Sequence, residues 1–461
     1  MKRLVALACV GLAVAGLCAR LSAAAFTGST SVASNPVTVD QLSNYFSVTP
    51  LNTTVASGGV DNLSLDFGTV ASARTFTSVF RVTNVSSASR TAVLTLTNVP
   101  QISSLAFAGG GTSVTLAAGG SATVGVTTSS AVAGRGSGTL RLGLSGLGWM
   151  YRDYSVKIDE APEAPTAPAV AQKPAGRLDL SWTASTTVTN LAGYNVYRST
   201  GGAFTKLNAS PLSGTSYSDT STVDGTAYTY KINAVTSGTP LLTSLDSTTV
   251  NATADATAPG APTSIALANG GGTGNAYVNT ANASSLSVSV TLPAGSLTTD
   301  TVTLTLSKGG SSVVTTHAGT NGAGTFTVSG LNVAGFGDGA LTISASSTDA
   351  AGNIGATTSI SVTKDTVAPG APTANYTDNN NNAADVVTGS AEANASIAVS
   401  KTSAPTGSYS TTANGSGLYS VNVYPTNGKV STPISVTYVV TATDAAGNTS
   451  SATTLTLNDT K

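Results

Sequence analysis

The chain has 461 residues, of which 40% are hydrophobic and only 9% charged, where an ordinary globular protein carries about 25% charged residues. Twenty basic and 21 acidic residues leave a net charge of −1, so composition offers no basic surface for nucleic acid. A single histidine and two cysteines exclude most heme, thiol and histidine-rich metal chemistry.

The N-terminus reads as an address. Lys2 and Arg3 precede an almost unbroken apolar run over residues 4–17, and Ala23, Ala24 and Ala25 follow as small residues suited to cleavage. This is the layout of a secretory signal peptide over 1–25. The run of 14 residues falls short of the roughly 20 needed to span a bilayer. Cleavage would remove Lys2, Arg3 and Arg20, taking the basic residues from 20 to 17 against 21 acidic, a net charge of −4. Cys9 and Cys18 would leave as well, so no disulfide would support the exported chain. No later stretch is apolar enough to cross a membrane as a helix.

Beyond Ala25 the sequence alternates apolar and polar residues in short runs, as in Leu-Ser-Val-Ser-Val at 286–290 and Val-Thr-Leu-Thr-Leu at 302–306, broken by Gly, Asn-Gly and Pro. Period two with frequent turn signals predicts an all-β chain, a linear array of immunoglobulin-like β-sandwiches. Three proline-rich joints divide it. Residues 160–168 read Glu-Ala-Pro-Glu-Ala-Pro-Thr-Ala-Pro, a stiff extended spacer. Asp-Ala-Thr-Ala-Pro-Gly-Ala-Pro-Thr at 255–263 returns as Asp-Thr-Val-Ala-Pro-Gly-Ala-Pro-Thr at 365–373, a repeat 110 residues apart. The expected segments are 26–160, 161–254, 255–364 and 365–461.

Each segment carries its own resemblance. Residues 161–254 resemble a fibronectin type III domain through Leu-Asp-Leu-Ser-Trp at 178–182, Gly-Tyr-Asn-Val-Tyr-Arg at 193–198 and Tyr-Thr-Tyr-Lys-Ile at 228–232. The resemblance makes Trp182 a core residue and Tyr228 the tyrosine corner, bonded back to its own loop. Physically, Trp182 and Tyr230 are the large apolar bodies available to fill such a core. Segments 255–364 and 365–461 resemble tandem bacterial Ig-like domains, since Thr-Asp-Ala-Ala-Gly-Asn at 348–353 recurs at 443–448; the phrase is similar to repeats of large bacterial surface adhesins. Leu-Asp-Phe-Gly-Thr-Val at 65–70, Val-Thr-Asn at 82–84, Ala-Gly-Gly-Ser at 118–121 and Gly-Thr-Leu at 138–140 resemble the sperm-protein-like Ig domain, preceded by an extended leader over 26–60 with one aromatic pair, Tyr45 and Phe46.

Little chemistry accompanies these motifs. Nucleophilic catalysis needs a base beside the nucleophile, and His317, at a strand end, has no serine elbow or partner carboxylate in its sequence neighbourhood. No phosphate loop or dinucleotide fingerprint occurs, so a non-enzymatic role is expected. The best candidates are calcium positions at the joints. The loop before the last strand of an Ig-type sandwich returns to the pole where the chain enters, which brings Asp349 and Asn353 toward Asp255, and Asp444 and Asn448 toward Asp365. Calcium takes six to eight oxygen ligands, and in the adhesins that the chain resembles such inter-repeat ions stiffen the rod. The other reading of the same residues is a plain Asx-turn at Asp349 with Gly352 at positive φ, needing no ion. Asp378, Asn380 and Asn382 copy the first positions of an EF-hand loop, but Ala383 replaces its glycine and Gly389 its glutamate. Trp149 and Tyr151 share one face of a strand; a solvated face would stack sugar rings, and a core face would only pack.

The function expected from this inventory is mechanical: a secreted or cell-surface structural or adhesive protein, a semi-rigid multi-domain rod that takes up possible Ca2+ at its joints and meets a cell-surface protein or polysaccharide in the extracellular matrix. The alternatives are a carbohydrate-binding accessory of a secreted hydrolase and a self-assembling fibre subunit in which the unpaired leader, residues 26–40, completes a neighbour's sheet.

Overall fold

Alternation in the sequence becomes alternation in burial. The strand Leu286–Leu292 buries Leu286, Val288, Val290 and Leu292 and leaves the serines and threonine between them half-exposed, because successive side chains of a strand point to opposite faces. The same pattern runs through Thr301–Lys308 and Leu418–Val423. The computed structural model describes residues 30–32, 35–37, 41–379, 384–404, 406–424 and 434–459. Among these the protein is all-β, and helix is confined to three single turns of 3-10 type at Leu42–Asn44, Pro174–Gly176 and Thr273–Asn275. The expected signal peptide lies outside the described residues.

Four pairs of sheets follow one another, each closing on its own hydrophobic core. A four-stranded and a six-stranded sheet between Phe46 and Glu160 enclose Phe46, Phe80, Leu140 and Ile158. A three-stranded and a four-stranded sheet between Thr166 and Thr253 enclose Trp182, Tyr194, Tyr230 and Ile232. Between Ser264 and Lys364 the pairing is three strands on five, around Val288, Leu304 and Ile343. Between Asn375 and Asp459 it is three on four, around Ile397, Val423 and Tyr438. Ladders are antiparallel except where an early strand joins the last one in parallel, as Ser64–Val70 does with Tyr151–Glu160 and Tyr277–Val278 with Thr363–Lys364. That parallel pairing sets the last strand of each of these sandwiches beside an early strand of the same sheet, whereas the opening strands Phe46–Pro50 and Ser264–Leu267 belong to the opposite sheet. Contacts group the chain into two compact units, Met1–Gln172 with Arg177–Ala254 and Lys173–Gly176 with Asp255–Lys461.

Two expectations need correction. The leader does not extend to residue 60: Leu42 and Phe46 are fully buried, and Phe46–Pro50 pairs with Thr75–Asn84 as part of the first sandwich. The apolar pair that read as an isolated cluster is split by strand alternation, Phe46 entering the core while Tyr45 is only half-buried against it. Nor is the backbone of 26–40 unpaired throughout, since Thr30–Val32 and Asn35–Val37 form an antiparallel hairpin with each other.

The fibronectin-like residues take their expected places. Trp182 packs edge-on against Tyr194 with ring centroids 5.6 Å apart, and the Tyr228 hydroxyl accepts the Val223 amide at 2.9 Å. Asn84 gives the Val-Thr-Asn motif its physical meaning. Fully buried, its amide donates to the carbonyls of Ala88, Leu116 and Ala117, and its Oδ1 accepts from the Ser86 amide and hydroxyl. One side chain thereby closes two turns at the end of the sandwich, with the 118–120 turn held by backbone bonds to the same residue.

Candidate functional site

The repeated Thr-Asp-Ala-Ala-Gly-Asn phrase folds the same way twice. Within 348–353 the Gly352 amide donates to the Asp349 carbonyl and the Asp349 amide to the Asn353 carbonyl, both at 3.1 Å. Gly352 sits at φ +92° and Gly447, its counterpart, at φ +88°, where a side chain would be strained. The aspartate then locks the asparagine: Asp349 Oδ1 accepts the Asn353 backbone amide at 2.8 Å and Oδ2 accepts its Nδ2 at 2.9 Å. Asp444 holds Asn448 at the same 2.8 and 2.9 Å.

Each locked asparagine faces a joint. In the second unit Asn448 Nδ2 donates to the Asp365 carbonyl at 2.9 Å, while its Oδ1 accepts from the Thr280 amide at 3.0 Å and the Thr280 hydroxyl at 2.8 Å. Asn353 repeats this, donating from Nδ2 to the Asp255 carbonyl at 3.0 Å and accepting the Ala175 amide at 2.8 Å. Thr280 and Ala175 belong to the loops that receive the phrase; the Ala175 turn groups with the second unit.

Around Asp365 the stitching goes further. Its amide donates to the Val278 carbonyl at 2.8 Å, and Asn279 Nδ2 donates to the Ala446 carbonyl at 2.8 Å. Lys364, 2% exposed, donates to Asp338 at 2.9 Å, and Asp338 also accepts the Thr366 amide at 3.1 Å. Burial, the largest single influence on Asp338, pushes its carboxyl upward, but the Lys364 ammonium and the Thr366 bonds outweigh it and hold the group below the usual carboxylate range. The backbone groups of Asp365 and Thr366, where the chain crosses, are thus bonded within the joint, as a fixed crossing requires.

The six residues expected to ligate calcium do come together in threes, but in a different arrangement. Asp255 and Asp365 contribute their backbone carbonyls, while their carboxylates accept the Thr257 and Val367 amides at 3.1 Å. The asparagines turn nitrogen, not oxygen, toward those carbonyls and toward the neighbouring carboxylate. Their orientation is fixed chemically, since a backbone N–H only donates and a backbone carbonyl only accepts. A cation at that point would face an amide NH2 group, so the donor set as arranged does not fit calcium. Among the described residues no three His, Cys, Asp or Glu side chains gather as a metal cluster. In the EF-hand-like loop, Asn380, Asn382 and Ala383 lie outside the described residues.

His317 lies on exposed Ser311–Ala318, stacked on Phe326 at 4.0 Å, with Nδ1 2.6 Å from the Ala318 carbonyl. Trp149 lies in the turn before the strand Tyr151–Glu160, so its ring and that of Tyr151 do not share a strand face; Trp149 is 46% exposed, Met150 2%, and Tyr151 half-buried. The Arg141 guanidinium covers Tyr151 at 3.6 Å and is held there by two bonds to Asp153 at 2.7 and 2.8 Å, which leaves the Trp149 indole as the open ring. Sequence reasoning missed Asn279, Thr280, Ala175, Asp338 and Lys364, whose partners lie on other strands and loops and leave no local spacing to read.

Comparison with known proteins bears on this arrangement. Residues 368–459 match the Bacterial Ig domain family. The chain is 36% identical over 95 residues to an amylopullulanase of Thermoanaerobacterium saccharolyticum, a stretch covering 19% of this chain and 7% of that enzyme; the chain thus matches only a small part of that relative's length. Among solved structures, a Fn3-like protein from Clostridium thermocellum is 32% identical, covers 20% of this chain and 91% of its own, and superposes with a TM-score of 0.17. A protein described as a Ca2+-stabilized adhesin that helps an Antarctic bacterium reach out and bind ice is 20% identical, covers 90% of this chain and 98% of its own, and gives a TM-score of 0.29. The protein is a multi-domain, all-β chain of Ig-like and fibronectin-type-III-like sandwiches that matches the bacterial Ig domain in its last one.

Proposed function

We propose that the chain is a secreted or cell-surface structural protein of adhesive type, a non-enzymatic spacer whose work is mechanical. The observation that carries this reading is the joint at Asp365. There Asn448, Thr280, Val278 and Asp338 bind the crossing segment from both sandwiches. A linker whose backbone groups are bonded on both sides gives up the rotational freedom that a flexible tether keeps. Export is supported by the basic, apolar and small-residue pattern of 1–25, and the surface role by the match to the Bacterial Ig domain. The partner belongs to the class of surface proteins or polysaccharides.

Hydrogen bonds hold the joint in this reading, and no ion is required. The test is a distance measurement by pulsed electron resonance on the full chain carrying spin labels at Ser311→Cys and Ser410→Cys. A narrow distribution that broadens in Asn448→Ala supports a fixed joint; a broad distribution in the parent chain refutes it.

A second reading is favoured by the exposure of Trp149. As a carbohydrate-binding accessory the chain would stack a pyranose ring on that indole. Retention on insoluble polysaccharides that disappears in Trp149→Ala would support it, and equal elution of both chains would refute it.

A further inference from the structure

Glu160 ends the strand Tyr151–Glu160 and is 1% exposed. Its Oε1 accepts the Thr128 hydroxyl at 3.2 Å, while Oε2 has no partner among the described residues, a condition it shares with Gln101 Oε1. Thr128 closes one strand and Gly134 opens the next, and Gly134 is the cross-strand neighbour of Glu160. Glu160 therefore touches both ends of the 129–133 loop. That loop is where the first sandwich meets the second inside their common unit. The Ala131 carbonyl accepts the Val188 and Thr189 amides at 3.0 and 3.1 Å, and the Ala133 amide donates to the Thr189 carbonyl at 3.3 Å. Side chains add to it: the Thr187 hydroxyl donates to the Ser130 carbonyl at 2.9 Å and Asn190 Nδ2 to the Ala133 carbonyl at 2.8 Å.

We propose that Glu160 is a proton-operated latch between the first two sandwiches: neutral, it lies quietly under the 129–133 loop and the loop stays paired with 187–190; ionised, it loosens that pairing. The proton it gives up goes to water. An ionised carboxylate buried with one hydroxyl for company is costly, and the surrounding charges do not relieve it. Glu163, on the connection to the next strand, carries the same sign and is itself engaged by the Ala73 amide at 2.6 Å. Arg74, whose amide donates to the Thr128 hydroxyl at 3.0 Å, lays its guanidinium over Phe76 at 4.6 Å. Arg135 is paired with Asp159 at 2.9 Å, with a side chain 61% exposed. Thr128 brings a neutral hydroxyl to Glu160 and Gly134 a side-chain-free backbone, while Gln101 Nε2 donates to the Ala133 and Arg135 carbonyls of the same region. Burial, and after it the like charge of Glu163 working against the Thr128 bond, pushes the Glu160 carboxyl up to about 8.

The latch is independent of the joint at Asp365 and is tested on the full chain by hydrogen exchange of the Ala133, Val188 and Thr189 amides at pH 6 and pH 9, corrected for intrinsic rates. The parent chain is expected to lose protection at these amides by about tenfold or more at the higher pH, and Glu160→Gln to keep it at both. Unchanged protection in the parent chain, or equal loss in Glu160→Gln, overturns the proposal. Should the variant fail to fold, a carbon-13 titration of the Glu160 carboxyl in the parent chain decides: a midpoint near 8 sustains the latch, and one in the ordinary glutamate range removes it.

Discussion

Asn353 and Asn448 occupy the same place in two successive sandwiches and turn their amides the same way, Oδ1 toward a backbone N–H and Nδ2 toward the carbonyl of the aspartate that opens the joint. A side chain that both donates and accepts suits this position, since what it bridges is one backbone donor and one backbone acceptor from different segments. An aspartate would repel the carbonyl, and an alanine would reach neither.

Replacing Asn448 with alanine strands the Thr280 amide and the Asp365 carbonyl, both partly buried. Each unpaired group costs about 1–3 kcal/mol, so Asn448→Ala should destabilise the last sandwich by about 2–6 kcal/mol. The loss would appear as faster hydrogen exchange along Ile434–Thr443 in the full chain. Exchange unchanged from the parent would show that the bridge contributes nothing.

Calcium offers a direct contrast. The amide orientation at both joints makes the expected outcome a full-chain melting temperature that is the same in millimolar calcium and in excess chelator. A rise of several degrees with calcium would mean that both asparagines flip to present oxygen, and it would return the six joint residues to the role of ligands.

Gly447 tests the fit of the loop. At φ +88°, with a Cβ that would stand 3.2 Å from Asn279 Nδ2 and 3.3 Å from the Gly272 amide, Gly447→Ala meets both strain and a neighbour. A cost of about 1–2 kcal/mol is expected, together with a broadened inter-label distance across the joint. Gly415→Ala is the control, because its Cβ would enter open space.

Local pattern made most of this fold legible. Leu286–Leu292 alternates cleanly, and the Thr-Asp-Ala-Ala-Gly-Asn phrase carried both its turn and its place at a joint, since an Asx-turn and a positive-φ glycine are written in consecutive residues. What stayed hidden was whatever depends on a distant partner. Nothing near Thr280 announces that it will meet Asn448, and Lys364 reads as a solvated lysine until Asp338 arrives from the far end of a hairpin. Phe46 reads as part of a leader because its strand, Phe46–Pro50, is short and finds its partner only at Thr75–Asn84, some 30 residues on. The exposure of Trp149 was hidden because the alternation from 149 to 152 favours a strand with both rings packed, whereas the strand begins only at Tyr151 and Trp149 sits in the turn before it.

Asp219 carries the clearest acid dependence. It is 1% exposed and accepts from Arg198, the Tyr230 hydroxyl and the Ser221 hydroxyl at 2.8 Å each, and from the Ser221 amide at 3.0 Å. Burial is the largest influence and pushes its carboxyl up, but the combined bonds from Ser221, Tyr230 and Arg198 outweigh it and hold the group below its ordinary value of 3.8. Below 3.8 the unfolded chain takes up a proton that the folded one resists, so this contribution is complete above 3.8 and is lost as pH falls through the lower folded value. The second sandwich should therefore lose protection of Ala227–Thr236 in that acid window. Asp219→Asn should remove this acid limb and cost about 3 kcal/mol at neutral pH, because Arg198 is left without its carboxylate. A variant that kept both the parent's neutral stability and its acid limb would assign the pH response to another carboxylate.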